Sequence, residues 1–301
     1  MRSQADNRHP DLGAALRHLL SSGGKRIRPA VTLLTGIMLE ADTERLVTLA
    51  AAIEMLHTAT LVHDDLIDGA VLRRGIATLN SQWSPAATVL TGDFIFARAA
   101  KLAAETDSVL LMRMFSETLA VIVNGELTQM FSSRGIASRE NYEQRIYAKT
   151  ASLFELATRT AAILGEVGEA KIEAATRFGY CLGMAFQIVD DILDFTGEQA
   201  TVGKPVASDL RQGLVTLPAL YYLELHPNDA DMAVILGGEE IEQVVMNRLV
   251  AAIRDSGAIH QAMAEAHRYV DTALGLLAEM PECVERQALG ELARYIVDRQ
   301  L

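Results

Sequence analysis

Between Pro29 and Pro205 the chain carries a single proline, Pro85. Proline lacks a backbone donor and its ring clashes with the preceding helical turn, so helix interiors exclude it. The stretches on either side of Pro85 therefore leave room for long uninterrupted helices. They are filled with alanine, leucine, glutamate, arginine and methionine, while aromatics make up only 5% of the chain. These are helix formers, and the composition argues against a sandwich, a barrel or a doubly wound sheet. The expected fold is all-α. At 301 residues and 50% hydrophobic the chain can bury one large core. No shift in composition marks a boundary, so residues 1–301 are expected to form one helical domain.

The formal charge of −12 argues against a nucleic-acid partner, because nucleic-acid binders usually present a basic face. Cys181 and Cys283 are the only cysteines and have no CxxC spacing, which fits a reducing, cytoplasmic compartment. Asp, Glu, Arg or His interrupts every long apolar stretch, so no membrane span is expected. Met1 to Asp6 offer no apolar h-region, so no signal peptide is expected there.

Residues 1–22 are polar and read as a short lead-in. Gly23-Gly24-Lys25-Arg26-Ile27-Arg28-Pro29 is a compact basic turn that opens a helix near Val31. Leu46, Leu49, Ala50, Ile53, Leu56 and Leu61 recur at three- and four-residue steps and predict a helix over 43–68, stopped by Gly69. The same periodicity predicts helices over 87–104, 108–130, 141–164 and 169–196. A loop from Thr196 to Ser208 follows, then shorter helices over 216–225, 239–256, 258–279 and 285–299.

Two segments carry the chemistry. They are His63-Asp64-Asp65-Leu66-Ile67-Asp68 and Val189-Asp190-Asp191-Ile192-Leu193-Asp194. Each is a D-D-x-x-D motif inside an otherwise apolar helix. Asp64 and Asp68 are four apart and share a face, as do Asp190 and Asp194. Carboxylates gathered this way repel one another unless a cation neutralises them. Oxygen-only ligands suit a hard cation, and Mg²⁺ typically joins one or two carboxylates to phosphate oxygens. One such motif is ordinarily a solvated helix end. Its recurrence among leucine, isoleucine and valine, where an unpaired buried carboxylate is expensive, points instead to a metal and a diphosphate.

The basic residues are bunched as well. Lys25, Arg26 and Arg28 share one turn, Arg73 and Arg74 follow the first acidic motif, and Lys149 and Lys204 stand near the later helices. Singly each reads as a surface charge. As a set they supply cations for a second anion, with arginine suited to bidentate phosphate contacts and lysine to a point charge. His57, one turn before the aspartates, could donate to that anion or be a satisfied core histidine.

The sequence strongly resembles the trans-polyprenyl diphosphate synthases, which include farnesyl, geranylgeranyl and octaprenyl diphosphate synthases. The resemblance runs along nearly the whole chain. It rests on Gly24 to Pro29, Glu54-Met55-Leu56-His57, His63 to Asp68, Arg73-Arg74-Gly75, Gly92-Asp93 and Lys149-Thr150. It continues through Phe186 to Asp194, Gly203-Lys204, Asp209-Leu210, Gly213 and Thr216-Leu217-Pro218. It implies a helical bundle around a deep apolar cavity, and condensation of isopentenyl diphosphate with an allylic diphosphate. It also implies a homodimer. Lys25, Arg28, His57 and Arg74 match the residues that hold isopentenyl diphosphate. Asp64, Asp65, Asp68, Asp190, Asp191 and Asp194 match the metal ligands for three Mg²⁺ ions. Arg73, Lys149, Thr150, Gln187 and Lys204 match those that assist the allylic diphosphate. Catalysis would rest on Asp64, Asp65, Asp68 and Asp190 with Lys149 and Lys204. Two departures stand out: Leu214 replaces a common lysine, and the lead-in before Gly24 is short for the family.

The resemblance further implies ionisation of the allylic diphosphate, attack by the isopentenyl double bond and loss of a proton. Product length would depend on what blocks the cavity. Ala59 and Thr60, one helical turn before Asp64, are both small, which favours a product longer than geranylgeranyl. Leu56, Met55 and Ala52, with Met130 or Phe131, are candidates for the wall and equally for plain core packing. The alternatives are a short-chain synthase, a class I terpene cyclase and a non-catalytic partner subunit. A di-iron carboxylate bundle would need a second Glu-x-x-His beside Glu54 and His57, and the chain has none.

Overall fold

N-caps and prolines set the helix starts in the computed structural model, which describes residues 10–21, 24–73, 75–131, 137–197, 206–238 and 242–299. Its α-helices are α1 (Pro10–Ser21), α2 (Ile27–Met38), α3 (Thr43–Ile67), α4 (Leu79–Gln82), α5 (Pro85–Ala104), α6 (Val109–Phe131), α7 (Arg139–Ile146) and α8 (Ser152–Leu164). They continue with α9 (Glu169–Thr196), α10 (Ser208–Arg211), α11 (Leu217–Leu225), α12 (Ala230–Leu236), α13 (Gln243–Asp255), α14 (Ala258–Ala278) and α15 (Val284–Asp298). The only strands among the described residues, β1 (Leu72–Arg73) and β2 (Ile76–Ala77), pair antiparallel with Arg73 opposite Ile76. The fold is all-α, as the proline spacing predicts.

The chain packs as two compact units. One holds residues 1–117 and 156–172, the other 118–155 and 173–301, with boundaries inside α6, α8 and α9. In the first, α3 is the central helix. Asp42 caps its start by accepting from the Arg45 N–H at 2.9 Å. Leu46, Leu49, Ile53 and Leu56 are wholly buried. A Cβ at Gly36 of α2 would lie 2.3 Å from Leu46 Cδ1, so that glycine permits the close α2–α3 approach. By length and composition α3 could cross a membrane, against the sequence expectation, but 61% of its apolar window is buried inside the protein. It is a core helix.

In the second unit α9 is the spine, burying Phe178, Leu182, Ile188, Ile192 and Phe195. The helix predicted over 141–164 is interrupted by a π-helical turn, Tyr147–Ala151, between α7 and α8. Two glycines make room for it. A Cβ at Gly125 of α6 would lie 2.5 Å from Ala148 Cβ, and one at Gly183 of α9 would lie 2.5 Å from Ala151 Cα. Periodicity also missed α1, where Ala15 and Leu16 are buried, and the separate α12. Both are short apolar patterns set in polar sequence, and packing against a neighbour stabilises them more than propensity does.

Candidate functional site

Asp64, Asp65 and Asp68 gather at the C-terminal end of α3, and Asp190, Asp191 and Asp194 lie in the last two turns of α9. A helix C-terminus already carries partial negative charge from its unpaired carbonyls. Carboxylates there add like charge to like, and a cation relieves both.

The six carboxylates are not equivalent. On α3, Asp65 is buried and its Oδ1 accepts from Arg73 Nε at 2.7 Å. The β1–β2 hairpin, turned at Gly75 with φ 75°, folds Arg73 back onto the helix. Asp64 is half-buried and Asp68 is exposed at the C-cap, with its N–H on the Asp64 carbonyl at 2.8 Å. His57 and Thr60 are half-buried as well and lie on the same helical stripe as Asp64 and Asp68. Arg28 Nη1 lies 3.2 Å from His57 Nε2. A guanidinium cannot accept, so His57 Nε2 accepts and its proton sits on Nδ1. Lys25, three residues before Arg28, is exposed. The chain-length candidates divide: Leu56, Met55 and Ala59 are buried in the core, whereas Phe131 is 80% exposed at the end of α6.

On α9, Asp191 is fully buried between two donors. Tyr142 Oη donates to Oδ2 at 2.8 Å and Gln187 Nε2 to Oδ1 at 2.8 Å. Gln187 in turn accepts from Thr150 Oγ1 at 2.6 Å. Thr150, Gln187 and Asp191, singled out from sequence, thus form one hydrogen-bonded chain that ends at Tyr142. Burial and the nearby charge of Asp209 push the Asp191 carboxyl up to about 7, against the pull of its two hydrogen bonds. Burial, with the charge of Asp191 and its hydrogen bond, raises Tyr142 well above the usual phenol range.

Asp194 caps α10. Its Oδ1 accepts from the Ser208 N–H at 3.1 Å and hydroxyl at 2.9 Å, and its Oδ2 from the Asp209 N–H at 3.2 Å. Asp190 is half-buried, as Asp194 is: its side chain is 40% exposed and Oδ1 meets Arg299 Nη1 at 2.9 Å. Lys149, on the π-turn, pairs with Glu126 Oε1 at 3.4 Å. Such turns recur at functional sites. Arg74, Gly203 and Lys204 lie outside the described residues.

Sequence reasoning missed Tyr142 and Arg299, which no motif marks. Glu54 and Asp209 stand inside the motifs, but their partners are visible only in the tertiary structure. The burial of Glu54, Asp65 and Asp191 was also hidden, because hydropathy reports a residue's neighbours along the chain and not across it.

The donor set suits Mg²⁺: carboxylate oxygens only, at negative helix ends, with Asp64, Asp68 and Asp190 reaching solvent. Among the described residues no three His, Cys, Asp or Glu side chains form a ready-made cage. Mg²⁺ rarely uses one, since it keeps waters and completes its shell with phosphate. Each unit thus carries its own oxygen-only carboxylate stripe on an α-helix, with Arg73 beside the one on α3 and Arg299 beside the one on α9, the class of donor set that takes a hard cation and a phosphate.

Comparison with known proteins gives that class its family. The polyprenyl synthetase model matches residues 9–253. Component 2 of the heptaprenyl diphosphate synthase of Geobacillus stearothermophilus is 40% identical over 289 residues, 96% of this chain and 90% of that one. The geranyl-diphosphate-specific all-trans-nonaprenyl-diphosphate synthase of Rhodobacter capsulatus is 40% identical over 290 residues, 94% of this chain and 87% of its own. The solved polyprenyl synthase of Caulobacter crescentus, complexed with calcium and isoprenyl diphosphate, superposes with a TM-score of 0.92 at 37% identity. That match covers 100% of this chain and 92% of the other. The chain belongs to the polyprenyl synthetase family, and its activity class is polyprenyl diphosphate synthesis. Neither a cyclase nor a di-iron protein finds support among these relatives.

Proposed function

We propose that this chain is a Mg²⁺-dependent trans-prenyltransferase that adds isopentenyl diphosphate head to tail to an allylic diphosphate, beyond the geranylgeranyl length. The observation that carries the reading is the doubled aspartate motif, each copy with a solvent-reaching carboxylate at a negative helix end. The long-chain names of both curated relatives support the product range.

Within this reading Asp64, Asp68 and Asp190 are the direct metal ligands. Asp65, Asp191 and Asp194 hold the ligand helices in place through Arg73, through Tyr142 and Gln187, and through the α10 cap. Mg²⁺, when bound, supplies positive charge against the allylic diphosphate as it departs. Lys149 and Arg73, together with Lys204, add cationic contacts to that leaving group, and Gln187, held by Thr150, donates its remaining amide N–H to it. Lys25, Arg28 and Arg74 hold the diphosphate of isopentenyl diphosphate, and His57, protonated on Nδ1, donates to it. With no protein base evident in the motifs, the released diphosphate takes the proton lost after condensation. Leu214 leaves the allylic subsite one cation short of the family pattern.

A homodimer working in the cytoplasm completes the proposal. Val123, Leu127, Met130 and Phe131 form an exposed apolar stripe along α6, which suits a partner helix, and both cysteines are free. The component name of the Geobacillus relative favours a second reading, in which the partner is a different chain. Incubation with Mg²⁺, labelled isopentenyl diphosphate and farnesyl diphosphate, with products resolved by length, tests the function. A ladder beyond geranylgeranyl supports it. No incorporation by folded protein with any allylic primer overturns it and favours a partner-subunit role.

A further inference from the structure

The basic turn at residues 24–29 carries three cations within four positions, and the reading above uses only Lys25 and Arg28. Arg26, between them in sequence, reaches α3 as Arg28 does, but to a carboxylate. Its Nη1 pairs with Glu54 Oε1 on α3. Glu54 is only 5% exposed and sits in sequence between Ile53 and Met55, both buried. A carboxylate withdrawn from water needs a charged partner, and Arg26 supplies it. One helical turn further along the same stripe, His57 accepts from Arg28. Two side chains of α3, three residues apart, thus grip alternate residues of the turn.

The backbone agrees with this grip. Arg26 occupies the left-handed region, φ 50° and ψ 34°, and caps α2 with no side-chain cap hydrogen bond. Residues other than glycine adopt that region at a cost. Here it starts α2 directly, with the Ala30 N–H on the Arg26 carbonyl at 3.1 Å, while the side chain reaches α3.

From this geometry we infer that the Arg26–Glu54 pair is a positioning device for the isopentenyl diphosphate subsite. It neutralises the middle cation of the turn and sets the direction in which Lys25 and Arg28 meet the substrate. Neither Arg26 nor Glu54 touches substrate in this role. The inference rests on the assignment of Lys25, Arg28 and His57 to that subsite.

Steady-state kinetics separate the two claims, with Arg28→Ala as the reference for the subsite. Glu54→Gln and Arg26→Gln should each raise KM for isopentenyl diphosphate about tenfold, with kcat and KM for the allylic primer within about twofold of wild type. Arg26→Lys should recover most of the affinity. The double variant Arg26→Gln/Glu54→Gln buries no unpaired charge and gives the same reading where a single variant fails to fold. If Arg28→Ala raises KM for isopentenyl diphosphate while the pair variants do not, the positioning role is overturned and the subsite stands. A lowered melting temperature with unchanged KM for isopentenyl diphosphate also overturns it, because the pair would then serve folding alone. If Arg28→Ala leaves KM unchanged, the subsite assignment itself falls.

Discussion

Arg299 Nη1 lies 2.9 Å from Asp190 Oδ1, tying the last residues of the chain to the second aspartate motif across 109 positions. The guanidinium also donates from Nε to the Ile296 carbonyl at 3.0 Å and from Nη2 to the Phe186 carbonyl at 3.2 Å. It stacks 4.2 Å from the centroid of the Phe186 ring. Arg299 is therefore held on three sides before it meets the carboxylate. Arg299→Gln should lower stability by about 1–2 kcal/mol, short of the roughly 3–5 kcal/mol for breaking a fully buried pair, because water screens Asp190. Denaturant unfolding of the metal-free protein measures it, and an unchanged midpoint would count against the clamp.

Gly183 sets the approach of α9 to the π-turn that carries Lys149 and Thr150. An alanine methyl there would meet Ala151 Cα at 2.5 Å and Ala151 Cβ at 2.9 Å, and backbone cannot swing aside as a long side chain can. Gly183→Ala should cost about 1–3 kcal/mol by overpacking. Turnover should also fall more than KM changes, since the turn places Lys149. Thermal melting and initial rates, taken together, test both.

Asp191 gives the metal-free protein a predictable pH response. Its folded-state carboxyl is pushed up to about 7 from 3.8, first by burial and then by Asp209. Between those values the folded chain keeps a proton that the unfolded chain has released, so stability falls as pH rises through the window. The contribution is fully present below the unfolded value and lost above the folded one. In EDTA the melting temperature of wild type should decline from about pH 4 to pH 7 more steeply than that of Asp191→Asn. Parallel curves for the two proteins would remove Asp191 as the cause.

Loss of a direct ligand should show in turnover rather than in the fold. Asp64→Ala and Asp190→Ala should each reduce kcat on the order of 10²–10³-fold, the scale of removing one group that stabilises developing charge. Circular dichroism should remain helical in both. Near-normal turnover in either variant would sink its assignment as a ligand.

Thr60 and Ala59 separate chain-length control from packing. Thr60 shares the half-buried stripe of α3 with Asp64, while Ala59 is 2% exposed in the core. Thr60→Phe and Ala59→Phe should both shorten the product, and Ala59→Phe should also lower stability by about 1–3 kcal/mol as an overpacked site. Product ladders resolved by length, read beside melting curves, decide it. An unchanged ladder in both variants would place the stop elsewhere.

The sequence by itself determined the helical class, most helix spans and the two aspartate motifs. These are local properties: the absence of proline, apolar residues at three- and four-residue steps, and D-D-x-x-D read directly from the chain. The span predicted for α9, 169–196, matches the structure residue for residue. Only the tertiary structure decided which carboxylates reach water and which are held. Asp64 and Asp65 are neighbours in identical chemistry, yet the β1–β2 hairpin brings Arg73 to Asp65. Asp190 and Asp191 are neighbours too, yet Arg299 meets the first while Tyr142 and Gln187 enclose the second. Apart from Gln187, one helical turn from Asp191, the groups that bury and pair these carboxylates lie 8 to 109 positions away, and no periodicity along the chain encodes contacts of that range. The π-turn has the same origin, since Gly125 and Gly183 create its space from two other helices.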